Sequence, residues 1–205
     1  MKMFPLSLAL GAALLLAPGC MDRTQLVDQD NDTEIVAGLG YKDFETAAAE
    51  TVNTILSSKQ VQRATKQDKT YVVAIGKVSD ETPLSIDTDL ITARIGEALL
   101  NDDRFALSSV FADRESNRDN TVSEARLVRG NDEFDQSSVQ KKGQLKAPDF
   151  SITGKIIARD VKRDNGGHQY EYYFQLRMND LATGTVLTTR ETKVIKRTGK
   201  KSHTW

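Results

Sequence analysis

Apolar residues recur along this chain with two different periods. Phe44, Ala48, Val52, Ile55 and Leu56 fall at helical spacing and predict a first helix, starting at Asp43, a good N-cap residue. Ser57-Ser58-Lys59 ends it, and a polar stretch from Gln60 to Lys69 follows. Tyr71-Val72-Val73-Ala74-Ile75 is a short continuous apolar run rich in β-branched residues. It reads as a strand buried on both faces. After a loop containing Pro83, Asp87 or Thr88 caps a second helix that runs to about Asn101, with Leu90, Ile91, Ile95, Ala98 and Leu99 as its buried face. Asp102-Asp103 breaks it, because carboxylates are unfavourable at a helix C-terminus. Arg104 to Leu107 is a short strand.

The pattern fades between Phe111 and Lys146, where charged and amide side chains dominate. Helical pieces are predicted at Val122–Val128 and Ser137–Lys142, with a loose loop at Gly130-Asn131-Asp132. Clarity returns at Phe150. A strand from Phe150 to Arg163 meets Asp164-Asn165-Gly166-Gly167, residues that tolerate positive φ and suit a hairpin turn. In the partner strand, His168 to Asn179, strict alternation sets Tyr172, Phe174, Leu176 and Met178 against Tyr173, Gln175, Arg177 and Asn179. Ala182-Thr183-Gly184 makes a second turn before a third strand, Val186 to Lys196. Helices must cover a sheet with an apolar face. The prediction is therefore a single α/β (α+β) domain with a mixed sheet of about five strands ending in an antiparallel meander.

Composition adds compartment. Of the 205 residues, 28% are charged and 39% hydrophobic, and the formal net charge is −1. That balance is ordinary for a globular domain and shows no sign of nucleic-acid binding. The single cysteine, Cys20, excludes an intramolecular disulfide. It closes the segment Leu16-Ala17-Pro18-Gly19-Cys20, after a basic start at Lys2 and an apolar run from Leu6 to Leu16 that is too short to span a bilayer. This is the layout of a signal peptide over residues 1–19. The glycine–cysteine junction resembles a bacterial lipobox, in which cleavage falls between Gly19 and Cys20 and the Cys20 sulfur carries the lipid through a thioether, with palmitate as an expected acyl group. The other reading is a plain secreted protein with one leftover cysteine. Residues 20–42 are acidic and poor in apolar groups, which suits a flexible tether. Fully extended, the tether reaches about 70 Å at about 3.3 Å per residue; as a relaxed coil it spans roughly 25 Å. The globular domain is expected over 43–197 and a disordered basic tail over 198–205.

No catalytic constellation stands out. His168 and His203 lack partners at zinc-ligand spacing, and neither G-x-S-x-G nor H-E-x-x-H occurs. Gly38-Leu39-Gly40 lacks the rest of a phosphate-binding loop. No catalytic residue, metal or cofactor is expected. Lys162-Arg163 and Lys196-Arg197-Lys200-Lys201 suit an anionic surface, although lysines also keep exposed strands from edge pairing, which is the simpler reading. Among Tyr170, Tyr172 and Tyr173, Tyr173 is placed on the outer face, where tyrosines often serve protein contacts.

Three passages carry a resemblance. They are Ile91-x-x-x-Ile95-Gly96-Glu97-Ala98-Leu99-x-x-Asp102-Asp103-Arg104-Phe105, Ala147-Pro148-Asp149-Phe150-Ser151-Ile152-Thr153-Gly154-Lys155-Ile156, and Asp180-Leu181-Ala182-Thr183-Gly184-Thr185-Val186. In order and spacing they resemble the penicillin-binding-protein activator family LpoB. The resemblance implies an outer-membrane lipoprotein facing the periplasm, with a domain like the N-terminal α/β domain of TolB. It implies a monomeric non-enzyme that binds a class A penicillin-binding protein and stimulates peptidoglycan synthesis. An envelope assembly or structural lipoprotein of the same fold, with another protein partner, is the alternative. Two features depart from the family: the tether has no proline, and Leu187-Thr188 stand where a tryptophan is usual.

Overall fold

The computed structural model describes residues 40–112, 119–164 and 166–198. Helix α1 (Tyr41–Leu56) is capped three residues earlier than the sequence predicts. Gly40 is the N-cap, and Asp43 lies at the third helical position, where its Oδ2 accepts the Gly40 N–H at 2.9 Å. The carboxylate reaching back captures an orphan donor and adds the extra residues to the first turn. Ala47, Ala48, Thr51, Val52, Ile55 and Leu56 are buried along one stripe. A short helix follows, reaching into the polar stretch from Gln60 to Lys69, for which the sequence predicts no helix. This is α2 (Lys59–Ala64), capped by Ser58, with Val61 as its only buried residue. Six residues with one apolar anchor carry no readable period.

β1 (Tyr71–Glu81) is the parallel centre of the sheet, paired with β2 on one side and β3 on the other. Tyr71 to Ala74 are buried on both faces, as the continuous apolar run requires. Asp80 then organises the turn, accepting from Thr82 N at 2.9 Å and Ile86 N at 2.8 Å. α3 (Thr88–Leu100) is capped by Asp87 and buries Ile91, Ile95, Ala98 and Leu99. Leu90, expected in that face, is 52% exposed; the i, i+4, i+7, i+8 row from Ile91 leaves its neighbour on the outer side. β2 (Phe105–Ala112) is longer than predicted. Its second half takes its bonds from the β1 backbone rather than from apolar alternation: the ladder reaches Ile75↔Ala112.

The crossover from β2 to β3 contains α4 (Asn120–Leu127), which packs only on β2 and buries no residue. The helix expected at Ser137–Lys142 does not form. Turns replace it, and they are held by side chains. Arg129 donates to the carbonyls of Gln140 at 2.6 Å and Lys141 at 3.2 Å, and the Gln136 amide donates to those of Val128, Asn131 and Phe134. β3 (Phe150–Lys162), β4 (His168–Asp180) and β5 (Thr185–Thr198) then form the antiparallel meander. Gly166 and Gly184 adopt φ of 78° and 68° at its two turns, where a Cβ would be strained. Thr198 pairs with His168 as the last residue of β5.

The sheet is a single mixed layer of five strands, ordered β2-β1-β3-β4-β5. α1 and α3 pack against each other on one face, α3 over β1 and β2 and α1 over β4 and β5. The even-numbered residues Ile152, Ile156, Tyr172, Phe174, Leu176 and Met178 point into that layer. Tyr71, Phe105 and Phe150, at the starts of the three parallel strands, form an aromatic cluster with centroids 5.4 to 6.5 Å apart. Asp149 locks that end: its Oδ2 accepts from Val72 N at 2.8 Å and its Oδ1 meets Lys69 Nζ at 2.9 Å. Burial pushes the Asp149 carboxyl up, but these donors together hold it below the usual carboxylate range.

Candidate functional site

Gly19, Cys20, His203, Lys200 and Lys201 lie outside the described residues. His168 opens β4, with Nδ1 2.9 Å from Asp160 Oδ1 and its ring stacked on Tyr170 at 6.0 Å. Among the described residues, no group of three or more His, Cys, Asp or Glu side chains is placed to hold a metal ion, and no helix is long and apolar enough to cross a membrane.

The cations singled out in the sequence do not form one patch. Lys196 faces the helical layer and pairs with Asp43 at 2.7 Å. Arg197, its neighbour on an alternating strand, lies on the other face and donates to Gln169 Oε1 at 2.9 Å. Lys162 and Arg163 are exposed at the far end of β3.

The second face of the meander holds a different cluster. The helices cover the meander from the core side, where Ile152 and Ile156 of β3 are buried, Thr51 Oγ1 bonds Thr192 Oγ1 at 2.7 Å and Val61 is buried. Odd-numbered positions on the other side therefore meet across the strands. Ile157, Tyr173 and Lys193 share one row; Arg159, Glu171 and Ile195 share the next. The Tyr173 ring lies between Lys193, 5.0 Å from its centroid, and Arg159, at 5.9 Å, within cation–π range. Its hydroxyl donates to Glu171 Oε2 at 2.5 Å. Gln169 Nε2 donates to Glu171 Oε1 at 2.7 Å, and Lys193 Nζ stands 3.2 Å from Oε2. These donors, Tyr173 first, lower the Glu171 carboxyl to about 2. The Tyr173 hydroxyl and then Glu171 raise Lys193. The Glu171 charge is thus fixed and neutralised from within.

Sequence reasoning placed Tyr173 on this face and Tyr172 in the core, where it is 5% exposed. It missed Arg159, Glu171 and Lys193 as neighbours of Tyr173. The alternation in each strand carries the face of each residue, but the register that aligns three strands is not local information.

Among the described residues, concavities also lie away from this face. One, about 430 Å³, runs between α3 and β2 and is lined mainly by Ile75, Ala93, Gly96, Leu100 and Leu107. Another, about 390 Å³, is polar and lies where Ser57, Gln62 and Asn101 approach Arg104. Arg104 is committed there: it bonds Asp102, Thr65 Oγ1 at 2.9 Å and the Leu56 carbonyl at 3.4 Å. Neither concavity brings a nucleophile and a base together.

Residues 43–194 match the family model of the peptidoglycan-synthase activator LpoB. No curated protein matches the chain. Among solved structures, the LpoB C-terminal domain from Salmonella enterica is 15% identical, with a TM-score of 0.43, over 74% of this chain and 98% of that one. The same domain from Escherichia coli is 14% identical, with a TM-score of 0.42 and the same coverage. The NMR structure of Escherichia coli LpoB is 13% identical, with a TM-score of 0.41, over 97% of this chain and 93% of that one. The family match spans all five strands down to Val194 in β5 and well over half of the chain, and on that ground the protein belongs to the LpoB family of peptidoglycan-synthase activators.

Proposed function

We propose that this protein is a lipid-anchored periplasmic binding protein that docks on a class A penicillin-binding protein and activates it. The observation that carries this reading is the family match over residues 43–194. Cys20 would bear the lipid after cleavage behind Gly19, holding the domain at the outer membrane through a tether over residues 20–42. No residue of the chain takes part in chemistry. Activation follows from differential binding: a partner that binds the active conformation of the synthase more tightly shifts the synthase toward it. A tenfold preference supplies about 1.4 kcal/mol toward the active state.

Purified synthase from the same host, assayed for glycan polymerisation with and without the protein at micromolar concentration, tests this. A faster rate together with direct binding is expected; no binding and no rate change would sink it. Cys20→Ser is expected to release the protein from membranes or to leave the precursor uncut, as read by fractionation. The proline-free tether favours a second reading, an envelope assembly lipoprotein whose partner lies closer to the anchoring membrane. Crosslinking in cells separates the two by the partner it captures.

A further inference from the structure

The second face of β3–β5 carries more cations than carboxylates. Lys155, Arg159, Arg177, Lys193 and Arg197 project from it, against Glu171 and Glu191. Glu171 is neutralised as described, while Glu191 accepts from the neutral Gln175 Nε2 at 2.5 Å and keeps its charge. Arg159, Arg177 and Arg197 have no carboxylate partner among the described residues. Lys155 and Lys193 pair with Glu81 and Glu171, so these three arginines give the face a cationic excess although the formal net charge of the chain is −1. Beside them stand a half-exposed tyrosine and the apolar side chains of Ile195 and Val161, 44% and 42% exposed.

We propose that this face is the docking surface and that its occupant is an acidic surface of a protein partner. The proposal rests on the reading of the molecule as a binding protein for a synthase and names the chemistry of the contact. Charge complementarity selects the occupant. Arginines free of carboxylates present planar forks suited to bidentate carboxylate pairing. Tyr173, held between Arg159 and Lys193 and tied to Glu171, is ordered before the partner arrives. A pre-ordered aromatic loses little entropy on binding, and tyrosine and arginine are the residues that most often dominate interface energetics. The internal neutralisation of Glu171 removes the charge that would repel an acidic partner from the centre of the face.

The test compares two charge-equivalent pairs in the full mature chain, binding to purified host synthase. Arg159→Glu with Arg177→Glu reverses two cations on the face. Lys59→Glu with Lys142→Glu reverses two exposed cations elsewhere. The first pair is expected to weaken binding about tenfold or more and to flatten its salt dependence, and the second to change it less than about twofold. Equal loss from both pairs, or no loss from the first, overturns the proposal. Arg159→Gln with Arg177→Gln is expected to give an intermediate loss and serves if the reversal pair fails to fold. Should the wild-type chain bind no synthase, the proposed function fails and the face is judged separately, against poly-L-glutamate and phosphatidylglycerol vesicles. Binding of poly-L-glutamate that the first pair abolishes supports an acidic polypeptide as occupant. Binding of vesicles alone, or of neither probe, overturns it.

Discussion

Glu171 is the residue at which electrostatics and binding meet. Its carboxyl, ordinarily near 4.5, falls to about 2 because Tyr173, Gln169 and Lys193 donate to the charged form. A folded-state value below the unfolded one means that the contribution to stability is present above about pH 4.5. It is lost as pH falls toward 2. Glu171→Gln removes this dependence, so the stability gap between wild type and variant should narrow as pH drops through that window. Urea denaturation at several pH values reads it, and a gap constant from pH 6 to 2.5 would contradict the assignment. Gly154 sets a different limit. A Cβ there would stand 2.5 Å from Leu176 Cδ2 and 2.8 Å from the Gln175 carbonyl oxygen. Gly154→Ala should therefore destabilise by about 1–3 kcal/mol, as overpacking of a fitted core does, seen as a lower urea midpoint with an unchanged m-value. Phe150-Ser151-Ile152-Thr153-Gly154 shows its strand character in the sequence, yet nothing local reveals that β4 needs the space above its glycine.

At the scale of elements, legibility tracked period and length. α3 was readable, with its cap narrowed to Asp87 or Thr88, because Ile91, Ile95, Ala98 and Leu99 state a helix in local terms. The meander was readable because alternation runs unbroken through Tyr172, Phe174, Leu176 and Met178. α2 was not, with one apolar anchor in six residues. Ser137–Lys142 failed in the opposite sense. It has tolerable helical composition, but it has no apolar stripe to bury, and Arg129 and Gln136 supply the backbone with bonds that compete with a helix. Residues 131–138 are exposed throughout, so their amides should exchange with solvent orders of magnitude faster than those of Ile152 to Ile156 in the sheet interior. Hydrogen exchange read by mass spectrometry checks it; equal protection of the two segments would mean that the crossover is packed. The interaction face was half legible. Its members alternate visibly in each strand, but their meeting depends on cross-strand register.

Across the whole molecule, the strand order joins two halves of different character. β2, β1 and β3 are parallel, and β3, β4 and β5 are antiparallel. The parallel half carries α3 and the aromatic cluster. The antiparallel half carries α1 on one side and the cationic face on the other. α1, formed first in the chain, packs on β5, formed last. The link is specific: Lys196 Nζ reaches Asp43 Oδ2 at 2.7 Å, and Thr51 bonds Thr192. Beginning and end of the described domain therefore lie side by side, and the order of the elements along the chain is separable from their arrangement in space. A short linker from Thr198 to Gly40, with new ends opened among the exposed residues 140–147, should yield a circular permutant that keeps the sheet and binds as the parent does. In that permutant the proposed point of lipid attachment would move to the β2–β3 crossover while the cationic face is untouched. The direction in which the anchor presents that face to its partner thus becomes an experimental variable, independent of the surface itself.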